Sequence, residues 1–363
     1  MKLSLYIARR FLWMFLRVAA AFWGVLMLID TLEQLRRTSG RGSGLAEALH
    51  LAALNVPQSL YAILPLVMIL SAVAMFVALA RSSELVVVRA AGRSGLRFLV
   101  APLLVALGIG AVAVAVLNPL VAATVKEYDA LHASRARGDR VLSVSDNGLW
   151  LRQGADGAQT VIHAARASAD GTELTGASFL TYDAEGLPQQ RIEAAQARLT
   201  PGAWELTDAK LWPLNGANPE TAAQTLPSLR LASDLTREAI RDSFGSPAAI
   251  AIWDLPGYVA GLQRAGFSAR NHQVWLQMQL ALPLLLVSMV LVAAGFTMRH
   301  ARAGRTGIHV LLAIMGGFAL FFLRNFAQVL GDNGQIPVLL AAWAPPLAAV
   351  MLAMGLLLHL EDG

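Results

Sequence analysis

The chain has 363 residues, of which 56% are hydrophobic and 15% are charged, and its formal net charge is +5. A mean hydropathy of +0.54 excludes an ordinary soluble domain and favours an integral membrane protein. The absence of cysteine excludes disulfides, thiolate metal sites and cysteine nucleophiles.

The lysines limit how the chain could be energised. None of the three, Lys2, Lys126 and Lys210, follows a glycine. The Gly-Lys-Ser/Thr loop that cradles the phosphates of ATP is therefore missing from the sequence. Work against a gradient would need energy from another subunit or from an ion, and we expect the chain to bind no cofactor of its own.

Six apolar segments reach, or nearly reach, the roughly 20 residues that a helix needs to cross a bilayer. We predict spans at residues 11–29, 51–80, 98–125, 274–298, 306–330 and 335–360. The first could instead be a cleaved signal peptide, because basic residues precede it and three alanines at 19–21 follow. Its apolar run continues past these alanines, so a retained helix fits better.

The loops between the spans indicate the orientation. Residues 1–10, 81–97 and 298–306 each carry a net charge of +3, whereas the alternate loops 33–47 and 330–336 carry +1 and −1. Because basic loops stay inside the cell, we predict that both chain termini are cytoplasmic. The polar segment after span three is then predicted to lie outside the cytoplasm.

The polar stretch from about residue 127 to 270 has a different pattern. Apolar residues recur with a period of two in GLWLRQ, TVIHAARA, ASFLTYD, QQRIEAAQARL and AWELTDAKLW, separated by turn signals. Such strands predict a β-sandwich or an open β-barrel, and a short helix at 253–266 leads into span four. We divide the chain into residues 1–126 with spans one to three, 127–268 with the β-domain, and 269–363 with spans four to six.

The basic loop between spans two and three has a helical pattern. On a helix, residues 81–92 divide into two faces, and Gly92 and Gly95 provide a C-terminal stop. One interpretation is a loop that satisfies the positive-inside rule. The other is a docking helix at about residues 81–93, whose acid Glu84 pairs with a basic groove on a cytoplasmic partner.

The sequence of this loop, LARSSELVVVRAAGRS, resembles the coupling-helix region of the LptF/LptG permeases of the lipopolysaccharide export ABC transporter. The family pattern R-x-x-E-L-x-x-x-x-A-x-G is matched by Arg81, Glu84, Leu85, Ala90 and Gly92. The segments IDTLEQLRR, LPLVMILSAV and NGLWLRQG also resemble the family, so the similarity extends over the whole chain. The tryptophan in GLWLRQG is more similar to the LptG branch than to LptF.

The resemblance implies a fold and a function. The fold is an α-helical membrane protein with six transmembrane helices (3+3) and an inserted periplasmic β-jellyroll domain. In the family, this permease and a second, LptF-type permease sit on a dimer of the LptB ATPase, which uses ATP. Lipopolysaccharide enters from the outer leaflet of the bacterial inner membrane and passes through the jellyrolls to a periplasmic bridge that begins with LptC and LptA. No nucleic acid is expected as a partner.

The resemblance also implies roles for residues of the loop and of two helix ends. We expect ATPase contacts from Arg81, Glu84, Leu85, Val88 and Arg89. We expect lipid contacts from Glu33, Arg36, Arg37, Arg324 and Gln328. Arginine suits bidentate contact with the phosphates of lipid A, and the alternatives are an ordinary charged helix end and a snorkelling arginine. Asp30 would repel phosphate, and we expect it to pair with Arg36 or Arg324.

Seven apolar residues of the β-domain are predicted to face the jellyroll interior. They are Trp150, Leu151, Val161, Ile162, Phe179, Trp204 and Leu206. These side chains could form an ordinary packed core or line a groove for acyl chains, and the sequence does not separate the two.

Two other classes of function compete with a transport permease. A non-transporting membrane scaffold could use the β-domain to recruit periplasmic assembly proteins, but it would not need a docking helix for an ATPase. A membrane-embedded enzyme would need clustered acids, bases or metal ligands. The seven histidines show no metal spacing, and neither a hydrolase elbow nor an HExxH pattern occurs.

Overall fold

The computed structural model describes residues 2–38, 44–82, 84, 95–135, 142–145, 148–153, 159–168, 171–183, 185–214, 218–236, 240, 246–264, 268–298 and 306–362. The chain forms two compact units. The helical unit comprises residues 1–129, 248–253 and 270–363, and the β-unit comprises residues 130–247 and 254–269.

Ten α-helices occur in the described part of the chain. They are α1 (Lys2–Thr38), α2 (Leu45–Ala62), α3 (Leu64–Arg81), α4 (Gly95–Val112), α5 (Asn118–Arg135), α6 (Leu255–Arg264), α7 (Arg270–Leu280), α8 (Leu282–Thr297), α9 (Thr306–Asp332) and α10 (Val338–Asp362). A π-helical turn at Ala113–Leu117 joins α4 to α5.

Five helical segments are long and apolar enough to cross a membrane, and the bent pair of α7 and α8 makes a sixth. The five are Leu3–Arg36, Leu64–Arg81, Gly95–Asp129, Gly307–Asp332 and Val338–His359. Three of the six precede the β-strands in the sequence and three follow them. The predicted fold class, a helical membrane protein with an inserted β-domain, is confirmed.

Prolines break two of the predicted spans. The sequence predicts one span over the run 51–80, but α2 ends before Ile63 and α3, with Pro65 in its first turn, is the segment long enough to cross alone. The second break lies at Ala281, where α7 and α8 meet at an angle of 50° and Pro283 follows. A proline has no N–H to donate to the carbonyl four residues earlier, so it cannot continue the preceding helix, but it fits the first turn of a new one.

The core of the helical unit is built around α8, which packs against α3, α4 and α10. Its buried face carries Leu286, Met289 and Val290, and α3 contributes Met68 and Met75. The backbones of α4 and the start of α8 approach each other closely. A Cβ atom at Gly110 would lie 2.5 Å from Pro283 Cα. Only glycine allows these two helices to pack at this distance.

The β-unit contains one antiparallel sheet of seven strands in sequence order. The strands are β1 (Leu142–Ser145), β2 (Gly148–Gln153), β3 (Gln159–Ala167), β4 (Glu173–Tyr182), β5 (Pro188–Thr200), β6 (Ala203–Pro213) and β7 (Gln224–Ala232). One face of the sheet forms an apolar core, to which α6 adds Val259 and Leu262.

Trp204 anchors this core. Its side chain is fully buried and packs edge-on against Phe179, with the ring centroids 6.0 Å apart. The indole nitrogen donates a hydrogen bond to Gln153 Oε1 at 3.1 Å, and the Ser233 hydroxyl donates to the same oxygen at 2.6 Å. The Gln153 amide in turn donates to the carbonyl of Ala232 at 3.2 Å. One glutamine therefore satisfies the polar atoms that the core encloses.

Replacing Gly110 by alanine should destabilise the helical unit. The new Cβ would press on the backbone of Pro283, which cannot move aside as a flexible side chain could. We expect the free energy of unfolding to fall by about 1–3 kcal/mol, measured as thermal denaturation of the purified protein in detergent. Gly108→Ala is the matched control, because a Cβ added at Gly108 would meet nothing within 4 Å. Equal stability of the two variants would contradict the close packing of α4 on α8.

Replacing Gln153 by leucine should destabilise the β-unit. The substitution removes the acceptor of the buried Trp204 indole, which should cost about 1–3 kcal/mol of unfolding free energy. Tryptophan fluorescence during chemical denaturation measures the change. The control is Gln159→Leu, whose side chain lies exposed on the neighbouring strand and should change stability by less than about 0.5 kcal/mol. A neutral Gln153→Leu variant would show that the hydrogen bond is unimportant.

Candidate functional site

Glu84 lies at the centre of a hydrogen-bonded cluster just after α3. Arg10 Nη1 donates to both carboxylate oxygens, at 2.7 Å from Oε1 and 2.6 Å from Oε2. The Ser82 hydroxyl donates to Oε1 at 2.8 Å, and the Tyr6 hydroxyl donates to Oε2 at 3.2 Å. We call Tyr6, Arg10, Ser82 and Glu84 the Glu84 cluster. It links the N-terminal end of α1 to the end of α3.

The charge of Glu84 is stabilised by this cluster. The hydrogen bond from Arg10 holds the pKa of the carboxyl below its usual range, and partial burial opposes that shift. The carboxylate is therefore ionised at neutral pH. The Arg10 and Glu84 side chains are 25% and 35% exposed, so water and salt reach the ion pair and weaken it.

The sequence points to Glu84 but not to its partners. In the sequence, Arg10 contributes only to the net charge of residues 1–10. Tyr6 is not among the predicted site residues. Their spacing of four residues places both side chains on one face of α1, and Arg10 also donates to the Tyr6 hydroxyl at 2.7 Å. This spacing was the available signal, but nothing in it indicates an acid 74 positions away.

Other residues of the predicted coupling segment are only partly described. Arg81, at the end of α3, is exposed. Leu85, Val88 and Arg89 lie outside the described residues. Their predicted contacts with an ATPase remain predictions.

The C-terminal end of α1 carries the first group of predicted lipid contacts. Arg36 is exposed and pairs with Glu33, with 3.4 Å between Arg36 Nη2 and Glu33 Oε2. The side chain of Arg37 lies outside the described residues. An exposed pair one turn apart stabilises the protein little, so the Arg36 guanidinium can exchange its partner for another anion.

Asp30 does not pair as predicted. Its Oδ2 accepts a hydrogen bond from Asn55 Nδ2 of α2 at 2.9 Å, and not from Arg36 or Arg324. One turn further along α1, the buried Gln34 donates to the hydroxyl of Tyr128 at 3.0 Å. Both contacts join residues far apart in sequence, which explains why local charge spacing did not predict them. They tie this end of α1 to α2 and α5.

Arg324 and Gln328 lie one turn apart on α9, and both are half-buried. The nearest hydrogen-bonding side chain to Arg324 is its neighbour Asn325, at 3.4 Å from Nη1. Among the described residues, no acid forms a salt bridge with Arg324. A half-buried cation without an acidic partner attracts an anionic ligand.

The seven predicted interior residues divide between the two faces of the sheet. Five are buried in the core, namely Leu151, Ile162, Phe179, Trp204 and Leu206. Trp150 and Val161 lie on the opposite face, which corrects the prediction for these two. Trp150 is 42% exposed and stacks on His163 with the ring centroids 4.5 Å apart. The physical reason is the alternation of a strand, which points adjacent residues such as Trp150 and Leu151 to opposite sides.

The opposite face borders an open cavity of about 1150 Å³. Trp150 lines one side and Trp212 the other, with Arg191 and Lys210 beside Trp212. The Lys210 ammonium lies 4.7 Å from the Trp212 ring centroid, and the Arg191 guanidinium lies 5.8 Å from it. Within the described residues, no group of three histidine, aspartate or glutamate side chains is arranged to hold a metal ion.

Comparison with known proteins places these features in a family context. Residues 5–359 match the family model described as lipopolysaccharide export system permease LptF/LptG. The chain is similar to the lipopolysaccharide export system permease protein LptG of Escherichia coli K12, with 24% identity over 340 residues, which is 93% of this chain and 91% of that protein. It is also similar to LptG of Haemophilus influenzae, with 23% identity over 369 residues and 99% of both chains covered.

Proposed function

The chain belongs to the LptF/LptG family of lipopolysaccharide export permeases, and from this premise we propose that it is the LptG-type permease subunit of an ABC transporter. The complex extracts lipopolysaccharide from the outer leaflet of the inner membrane and passes it to a periplasmic bridge toward the outer membrane. The observation that carries the proposal is the family match from residue 5 to 359, which covers both the membrane helices and the β-domain.

The energy comes from a separate cytoplasmic ATPase of the LptB type, present as a dimer, because this chain has no phosphate loop of its own. ATP is bound by that subunit. The contact surface on this chain is the end of α3 and the segment that follows it, with Arg81, Glu84, Leu85, Val88 and Arg89. The ionised Glu84 supports this assignment, since an acid at the end of a basic segment is suited to a cationic groove.

The remaining partners are a second, LptF-type permease and the periplasmic proteins of the LptC and LptA type. The chain spans the inner membrane with both termini in the cytoplasm, an orientation that the net charges of its loops support. The β-domain then lies in the periplasm. This orientation brings the C-terminal end of α1 and Arg324 of α9 to the outer half of the membrane, where the lipid enters.

The lipid phosphates bind to the arginines at these two places. Arg324 is the stronger candidate, because it is half-buried and no acid among the described residues neutralises it. Gln328, one turn away, supplies an amide donor. Arg36 provides a more exposed contact and pairs with Glu33 when lipid is absent. Arg37 is assigned to the same lipid site. The buried face of the β-domain is closely packed around Trp204. Acyl chains can therefore pass along this face only when the sheet and α6, which packs on it, move apart.

Purification of the tagged chain from its own membranes in a mild detergent tests the proposed function. We expect a soluble ATPase in stoichiometric amount, a second six-span permease and bound lipopolysaccharide, identified by mass spectrometry. Recovery of the chain alone, or only with periplasmic assembly proteins, would favour the scaffold over the transporter.

Replacing Arg324 by glutamine should reduce the lipopolysaccharide that copurifies with the complex. The variant keeps polar atoms in place but loses the charge that attracts phosphate, and we expect at least about a fivefold reduction. Arg17→Gln is the matched control, because Arg17 also lies within a span but is exposed. Thermal stability of both complexes must be measured in parallel. Equal lipid content in the two variants would remove Arg324 from the lipid site.

A further inference from the structure

The acceptor capacity of Glu84 is already filled within the chain. A carboxylate has about four lone-pair positions for hydrogen bonds. Arg10 contacts both oxygens, Ser82 takes a second position on Oε1, and Tyr6 takes a second position on Oε2. A cation from another protein can therefore bind this carboxylate strongly only if one of these donors leaves.

Arg10 is the donor best placed to leave. Ser82 is two residues from Glu84 in sequence, so it stays close in any arrangement of this segment. Arg10 belongs to a different helix, and its ion pair with Glu84 is partly exposed to solvent. Partly exposed ion pairs stabilise a protein weakly and exchange partners readily. A partner's arginine or lysine can replace the guanidinium of Arg10 with little change in the surroundings of the carboxylate.

The helix that carries Arg10 runs without a break to the far side of the helical unit. At 1.5 Å per residue, the 37 residues of α1 extend about 55 Å. Near its C-terminal end, α1 is held by Asp30 to Asn55 and by Gln34 to Tyr128. A change at Arg10 therefore acts on a rigid element whose other end borders the proposed lipid contacts at Glu33 and Arg36.

We propose that Arg10 and Tyr6 are positioning residues that form a lock on Glu84, and that docking of the ATPase opens this lock by displacing Arg10. The inference rests on the proposed function, since it requires an ATPase that contacts Glu84. Docking then has two results at once. Glu84 binds a cation of the ATPase, and the polar link between the N-terminal end of α1 and the end of α3 is broken, which leaves the apolar contacts of Ile7 and Phe11 at this end of α1. The lock thus connects the ATPase contact to the helix that reaches the lipid site.

A lock and a static structural clamp predict opposite effects of single substitutions. If Arg10 competes with the ATPase, removing its charge frees Glu84 and strengthens ATPase binding. Removing the charge of Glu84 weakens ATPase binding, because this carboxylate is the group for which Arg10 and the ATPase compete. If the pair merely holds the segment in shape, both substitutions damage the same structure and weaken binding alike.

The experiment compares Arg10→Gln, Glu84→Gln and the double variant in the whole complex, reconstituted in nanodiscs with its own second permease. Arg9→Gln is the matched control, because it removes a charge from the adjacent, exposed arginine. The first measurement is the affinity of the complex for its purified ATPase subunit. The second is the number of ATP molecules hydrolysed for each lipopolysaccharide released.

We expect Arg10→Gln to bind the ATPase about two- to fivefold more tightly and to hydrolyse more ATP for each lipid released, because α1 is no longer coupled to docking. Glu84→Gln should bind about tenfold more weakly, and the double variant should match Glu84→Gln. Tyr6→Phe should act as Arg10→Gln does, to a smaller extent, and it provides a second test if Arg10→Gln lowers the yield of folded complex.

Weaker binding by Arg10→Gln, or the same affinity as Arg9→Gln, would overturn the lock while leaving the transporter assignment intact. An unmodified complex that binds no ATPase would overturn the proposed function and the lock together. A Glu84→Gln complex with unchanged affinity would show that the ATPase contact lies elsewhere, and the lock would then be wrong although the transporter remains.

Discussion

The helical unit is organised by the need to satisfy polar groups inside an apolar environment, where water cannot do so. Side chains beside three irregularities in the helices meet this need. Tyr61, just before the break at Ile63, donates to Gln279, just before the break at Ala281. Asn118, immediately after the π-helical turn, accepts from the backbone of Ile252 at 2.9 Å. The breaks at Ile63 and Ala281 are therefore points at which two spans are joined by a hydrogen bond, while the apolar faces of α3, α4 and α8 supply the packing around them.

The longest helix, α1, is continuous over 37 residues and has none of these breaks. Most polar contacts of α1 to other helices cluster near its two ends, at Arg10 and at Asp30 and Gln34, and the part between them is largely apolar. A helix held at its ends by hydrogen bonds and ion pairs can shift when one end is released, since apolar contacts along its length have no preferred direction. This distribution suits an element that transmits the state of one side of a membrane to the other.

The sequence was sufficient for the fold class because the signals were periodic or compositional. Apolar run length predicted the spans, and alternation predicted the strands and, through Leu151, Ile162 and Phe179, most of the β-domain core. It was insufficient where one residue or a distant partner decided the outcome. The break at Ile63 lies inside an uncharged run, and the assignment of Trp150 to the interior overlooked the alternation within its own strand. Asn55, the partner of Asp30, and Arg10, the charged partner of Glu84, lie 25 and 74 positions away, beyond any local pattern.

The π-helical turn at Ala113–Leu117 constrains how this chain can change over evolutionary time. A π-turn accommodates one residue more than an α-helix of the same length. Deleting a single residue there would remove this extra residue and merge α4 and α5 into one regular helix, with α5 close to its present orientation. Inserting or deleting a residue in the regular turns of α4 would instead rotate everything beyond it by about 100°. Asn118 would then face away from Ile252, and the hydrogen bond between them would be lost. A change in length is therefore tolerated better at the π-turn than in the regular turns of α4.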